Sequence, residues 1–152
     1  MVAHCHTVSF EGVETRDVDV QCALTGGLPA FTIVGLPDKA VAESRERVRA
    51  ALNALGLALP PRRITVNLAP ADLPKEGAHY DLPIALALLA AMEVIPADEA
   101  AGWLAMGELG LDGRLNPVAG ALPAAIAAAA SGRGFICPAA CGPEAALAGE
   151  LE

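Results

Sequence analysis

Between residues 17 and 24 the larger apolar positions alternate with polar or small ones. Asp17-Val18-Asp19-Val20-Gln21-Cys22-Ala23-Leu24 puts Val18, Val20, Cys22 and Leu24 on one side of a half-buried strand. The run from His4 to Phe10 precedes it across Glu11-Gly12-Val13-Glu14, the composition of a hairpin loop. On that first strand Val8 and Phe10 share parity with His4 and His6, which places both histidines at the edge of one face. Gly26-Gly27 turns the chain into a third strand, residues 31–34. The period then becomes helical from about Asp38 to Leu55, with Val41, Ser44, Val48, Leu52 and Leu55 on one stripe and Gly56 as the left-handed stop. Pro60-Pro61 forbids continuation, and residues 63–68 form a strand rich in β-branched side chains.

A polar loop, Pro74-Lys75-Glu76-Gly77, leads into a helix that is apolar all round and runs to Met92. Asp81 and Pro83 suit its first turn: an acid meets the positive end of the dipole, and proline gives up an N–H that has no partner there. Pro96 starts a short helical turn. Residues 103–109 and 114–118 flank Gly110-Leu111-Asp112-Gly113, read as a hairpin turn. Pro123 opens an Ala-rich helix closed by Gly132, residues 135–137 make a last short strand, and Pro143 begins another helix. Three strands, helix, strand, helix, two strands, helix, strand is the order of an α/β or α+β domain, a mixed sheet with packed helices.

The length, 152 residues, suits one domain over residues 1–150, while Leu151-Glu152 has the look of a scar left by cloning. Hydrophobic residues make up 54% of the chain but aromatics only 3%, so Ala, Leu, Val and Ile must build the core. The apolar stretches 82–92 and 118–130 are too short or too interrupted to span a bilayer, and no leader pattern opens the chain. The expectation is a cytoplasmic protein with no membrane partner. In that compartment Cys5, Cys22, Cys137 and Cys141 read as core thiols; no spacing selects a zinc site with His4 and His6.

Net charge is −8, yet Lys39, Arg45, Arg47, Arg49, Arg62 and Arg63, six of the ten cations, crowd into a quarter of the chain. A negative domain repels duplex DNA as a whole. The local patch reads either as a solvated helix face with Glu43–Arg47 and Glu46–Arg49 pairs or as a contact surface. At 100° per residue Arg45 and Arg49 share a face while Arg47 points away, and Arg62 and Arg63 lie near one end of the helix.

Three segments carry a resemblance: Gly27-Leu28-Pro29-Ala30-Phe31-Thr32-Ile33-Val34-Gly35-Leu36-Pro37-Asp38, Arg62-Arg63-Ile64-Thr65-Val66-Asn67-Leu68-Ala69-Pro70-Ala71-Asp72-Leu73, and the loop and helix from Pro74 to Leu86. Together they resemble the N-terminal domain of the magnesium-chelatase-like AAA+ ATPases, the bacterial family of the competence protein ComM. The resemblance implies a ribosomal protein S5 domain 2-like fold, shared with the Lon protease domain. It also implies an AAA+ motor following in cis, ATP and magnesium bound by the parent protein, and a homo-hexamer concerned with DNA handling such as branch migration or uptake-related recombination.

Against the Lon-type Ser/Lys loop, the serine position two residues after the loop glycine is His79. The lysine position, five residues after the proline of Gly113-Arg114-Leu115-Asn116-Pro117, is Leu122. Neither atom of such a dyad is present, and no Gly-Lys-Ser/Thr cradles phosphate. The expected function is therefore a non-catalytic accessory domain without its own cofactor or metal. Its loop is Lys75, Glu76, Gly77 and Asp81, and Arg45, Arg49, Arg62 and Arg63 are its interaction residues. Two alternatives are a degenerate hydrolase using His79, otherwise a polar loop residue near a helix start, and a free-standing interaction module.

Overall fold

The computed structural model describes residues 2–12 and 14–149. Strands β1 (Val2–Glu11), β2 (Glu14–Thr25), β3 (Ala30–Val34) and β4 (Arg63–Ala69) make one half of the main sheet; β5 (Trp103–Ala105) and β8 (Gly134–Ile136) extend the other. The order is β3-β4-β2-β1-β5-β8. β2 runs antiparallel to β1 and β4, while the β3–β4, β1–β5 and β5–β8 pairs are parallel, so the sheet is mixed. Strands β6 (Glu108–Leu109) and β7 (Leu115–Asn116) form a separate small ribbon. The α/β class expected from the element order is what the chain adopts.

The alternation in β2 does what its pattern demands. Val18, Val20 and Cys22 are fully buried beside Cys5, Ile64, Val66 and Leu68. Helices α2 (Ser44–Ala54) and α3 (Asp81–Ala91) cover that face. Because α3 lies against the sheet on one side and α2 and α4 (Ala97–Ala101) on others, its lack of a polar stripe is no liability. The opposite face is covered only in part. Helix α5 (Ala121–Ala130) buries Ala121, Ala124, Ala125 and Ala128, a stripe at helical spacing, over Val8, Leu104 and Met106. Helix α6 (Gly142–Ala145) packs beside it. Over β2 and β4 the same face carries a polar row instead, in which Asp19 bonds His4 and Gln21, and Gln21 bonds Asn67.

Two expectations need correction. The helix over residues 38–55 is two helices, α1 (Lys39–Ala42) and α2, parted at Glu43. Asp38 caps α1 by accepting from the Val41 N–H at 2.8 Å, and the Arg47 guanidinium donates to the Ala40 carbonyl at 2.7 Å beside the break. Leu55, assigned to the buried stripe, lies past the end of α2 and is exposed. Residues 103–109 are likewise not one strand. The chain leaves β5 at Met106, and Gly107 exchanges backbone bonds with His79 and Leu82, so β6 starts a new sheet. The Pro143 helix is short, ending at Ala145 in a 3-10 turn over residues 146–148; Leu151 and Glu152 lie outside the described residues.

Candidate functional site

The three segments singled out in the sequence converge on one place. Pro37 forms a parallel bridge with Lys75: the Asp38 N–H donates to the Lys75 carbonyl at 2.9 Å and the Lys75 N–H to the Leu36 carbonyl at 3.0 Å. Lys75 is fully buried, and its Nζ donates to the Pro70 carbonyl. Burial pushes the amine below its ordinary value, with the neighbouring Asp72 opposing. The Gly77 N–H reaches the Asp38 carboxylate at 3.4 Å, while Glu76 stays exposed. The loop is thus laced to the segments before and after the first helices.

A 3-10 turn over Ala78–Tyr80 follows, and it buries His79. This corrects the reading of His79 as a polar loop residue. Its Nε2 lies 2.7 Å from the Val8 carbonyl, which can only accept, so Nε2 carries the proton. The ring stands 5.2 Å from that of Phe10 and 4.2 Å from that of Tyr80. Burial lowers its pKa, against the opposing pull of the Val8 bond and of Asp81 and Asp38. The imidazole is therefore held neutral and packed. Tyr80 is fully buried, and burial drives its phenol upward.

Leu122 sits in the first turn of α5, half-buried, with its N–H donating to the Glu144 carboxylate at 2.7 Å. An acid from α6 thus faces the positive end of α5. Phe10 links the His79 turn to the start of α5: besides facing His79 it fills the space over Gly120, where a Cβ would come within 2.4 Å of the ring. Gly120 also has φ +96, so this position excludes a side chain twice over.

Asp81 is the centre of the buried polar structure. Fully inaccessible at the start of α3, it accepts from Ser44 Oγ at 2.5 Å, from Arg47 Nε at 2.6 Å and Nη2 at 3.1 Å, and from the Leu109 N–H at 3.0 Å. One carboxylate therefore joins α2, α3 and β6. Its hydrogen bond to Arg47 holds that guanidinium above its ordinary value. Arg47 points away from the face shared by Arg45 and Arg49, as its spacing requires; what the sequence did not reveal is its partner, the buried Asp81 carboxylate. Arg47 also lies 3.9 Å from Glu43, whereas Glu46 and Arg49 form no ion pair among the described residues. A signal was available: Ser44 and Arg47 are three apart on the helix stripe, and a lone acid entering an apolar helix needs a cation.

The other arginines stay outside. Arg45 and Arg49 share the outer face of α2, as spaced. Arg45 Nη1 donates to the Phe31 carbonyl at 3.4 Å, and Arg62 Nη2 to the Leu24 carbonyl at 3.3 Å. Arg49 and Arg62 both line a cleft of about 420 Å³ floored by Phe31, Leu59, Pro60 and Ile64. Among the described residues none of Arg45, Arg49, Arg62 or Arg63 is paired with a carboxylate. Cys5 donates weakly to the Trp103 carbonyl and Cys141 to that of Val118, and no group of three or more metal-ligating side chains stands together among the described residues. No helix there is long and apolar enough to cross a membrane.

A family described as subunit ChlI of Mg-chelatase matches residues 20–141. YifB of Salmonella typhimurium is 46% identical over 135 residues, 89% of this chain and 27% of its own length. YifB of Escherichia coli is 48% identical over 131 residues, covering 86% of the chain and 26% of that protein. Competence protein ComM of Haemophilus influenzae is 47% identical over 125 residues, 82% of this chain and 25% of ComM. The matched region thus amounts to about a quarter of each curated relative. With the match spanning most of the sheet and the whole of the laced loop, the chain belongs to the Mg-chelatase ChlI-type family, in the branch that holds YifB and ComM.

Proposed function

We propose that this chain is a non-catalytic accessory domain of a magnesium-chelatase-like AAA+ ATPase. In this reading it supports assembly of a homo-hexamer and DNA handling through surface contacts, while ATP and magnesium are bound by a motor elsewhere in the parent protein. One observation carries the reading: three polar side chains of the loop and the helix start, those of Lys75, His79 and Asp81, are spent on the fold, and only Glu76 faces solvent among the charged groups there. The His79 imidazole is committed to the Val8 carbonyl between two aromatic rings, the Lys75 amine to the Pro70 carbonyl, and Asp81 to Ser44, Arg47 and Leu109. A general base needs a proton to take within hydrogen-bond reach, and a buried, neutral, packed imidazole is badly placed for one. The hydrolase alternative is supported by no comparable feature. The name of ComM ties a relative to competence, which favours the DNA-handling version over a free-standing module.

The test is twofold. A reading frame that continues beyond residue 152 into a Gly-x-x-x-x-Gly-Lys-Ser/Thr segment supports the motor in cis, and a stop codon there removes it. In that longer protein, Arg45→Ala with Arg49→Ala should weaken hexamer assembly or DNA binding, read by sedimentation and by salt-dependent duplex affinity, with unfolding unchanged. Unaltered assembly, DNA binding and ATP turnover would reduce the arginines to a solvated face.

A further inference from the structure

Strand β3 is an edge of the main sheet, paired among the described residues only with β4. The Ala30 N–H bonds to the Arg62 carbonyl on the β4 side, so in this parallel pairing the alternate residues, Phe31 and Ile33, turn their N–H and C=O groups outward. Natural edges are commonly blunted by charges, proline or bulges. Here the strand reads Ala-Phe-Thr-Ile-Val, without a charge or a proline, and exposed Leu28, Val34 and Leu36 flank or lie within it. The other edge, β8, has only three residues and meets Pro138 directly after Cys137. Among the described residues one side chain reaches the outward groups of the β3 edge. Arg45 reaches the Phe31 carbonyl at 3.4 Å, the far limit of a hydrogen bond, from an exposed helix face that lets it swing away.

At the N-terminal end of the same strand lies the cleft that holds Arg49 and Arg62 above Phe31, Leu59, Pro60 and Ile64. Its floor is apolar, and its cations have no carboxylate partner among the described residues, in a chain whose net charge is −8. We propose that the free edge of β3 accepts an extended acidic segment of a partner protein, whose backbone pairs with Phe31 and Ile33 and whose carboxylates enter the cleft between Arg49 and Arg62. This deepens the accessory-domain reading, on which it rests, by giving the contact a chemistry. Strand addition supplies affinity through main-chain bonds and specificity through a side-chain pocket. A bidentate arginine fork suits a carboxylate, and the apolar floor suits the stem of a Glu better than a solvated phosphate backbone. The chain's net charge of −8 opposes any anion, and it opposes a nucleic acid more strongly than a segment with two carboxylates because the phosphate backbone carries a denser charge.

The test uses the 152-residue chain and fluorescein-labelled heptapeptides of alternating Val and Thr, with two Glu at either the N-terminal or the C-terminal end. Anisotropy should show binding of one of the two, the successful end giving the strand direction. Replacing its Glu pair by Gln, or the chain's Arg49→Glu with Arg62→Glu, should weaken binding about tenfold or more. N-methylation of the peptide at one parity of amides should abolish binding, and at the other leave it. Both arginines are surface residues, and unchanged far-UV circular dichroism and urea midpoint will show that the variant folds. Binding by neither Glu peptide at millimolar concentration, equal binding of the Gln peptides, or indifference to N-methylation would each overturn the proposal. So would tighter binding of a duplex oligonucleotide at the same arginines, or self-association of the chain lost with Arg49→Glu while peptide binding is not. If peptides fail while Arg45→Ala with Arg49→Ala still impairs assembly of the longer protein, strand addition falls and the accessory role stands. If peptides bind and assembly is indifferent, the reverse holds.

Discussion

Helix α2 carries arginines at 45, 47 and 49, and the structure puts them to opposite uses. Arg47 turns inward to a carboxylate with no solvent access and is one of three groups that satisfy it. Arg45 and Arg49 turn outward to a backbone carbonyl at its limit of reach and to an open cleft. Sequence distance and residue type are the same; the environment differs. A charge committed to a buried partner is bound up with folding, whereas a charge left among apolar side chains without a counter-ion is available to something else. The difference predicts that variants on one helix will divide into folding variants and binding variants with little overlap.

The largest effect should come from Arg47→Met. Asp81 cannot reach water, so removing its cation leaves a buried charge held only by Ser44 and the Leu109 N–H. The expected loss is about 3–5 kcal/mol in urea unfolding. Asp81→Ala should cost less, about 1.5–3 kcal/mol, because Arg47 is partly exposed and can turn to solvent, leaving mainly the lost charge-assisted hydrogen bonds. If the two costs come in the opposite order, the hub is organised by Arg47 rather than by the carboxylate.

A subtler effect is the pH dependence of stability. His79 in the fold sits below its ordinary 6.5 chiefly because burial disfavours the imidazolium. As pH falls the unfolded chain therefore takes up this proton first. The contribution of His79 is complete above about 6.5 and drains away as pH drops towards the lowered folded value. Urea midpoints measured between neutral and mildly acidic pH should decline more steeply for the parent than for His79→Gln. His6 is pushed in the same direction by burial and by Arg133, so the difference between the two proteins, and not the parent curve alone, isolates His79. Parallel curves would mean that the imidazole titrates freely.

The smallest expected effect on stability is that of Arg49→Ala, within about 0.5 kcal/mol. A larger loss in the same urea measurement would move Arg49 to the folding side of the comparison.

What the sequence could reveal follows from the range of the interactions involved. The β2 alternation, the all-apolar α3 and the small-residue stripe of α5 are local patterns, and each element formed where its period lies. The break at Glu43 is not local in the same sense: Pro37, Asp38 and Glu43 leave the helical period intact, and the Ala40 carbonyl finds Arg47 only through side-chain geometry. The helical period turned Arg47 away from Arg45 and Arg49 correctly, but within the local window it offered Glu43 as the partner and not Asp81. The His79 bond to Val8 spans 71 positions, and Asp81 meets Arg47 across 34, so no window along the chain contains either pair. The loop residues Lys75, Glu76, Gly77 and Asp81 were recognisable as a unit from their motif. That Lys75 is buried and Glu76 exposed depends on the Pro37 bridge, which brings a distant segment over one side of the loop only.

Trp103, the sole tryptophan, lies on β5 with its six-membered ring against the backbone of Gly134 at the start of β8, where even a Cβ would come within 2.5 Å. The molecule thereby contains its own optical probe of the sheet edge opposite β3. Emission from Trp103 will respond to detachment of β8 and remain unchanged by events at Phe31 and Ile33, so fluorescence can separate loosening of one sheet border from occupation of the other without any label.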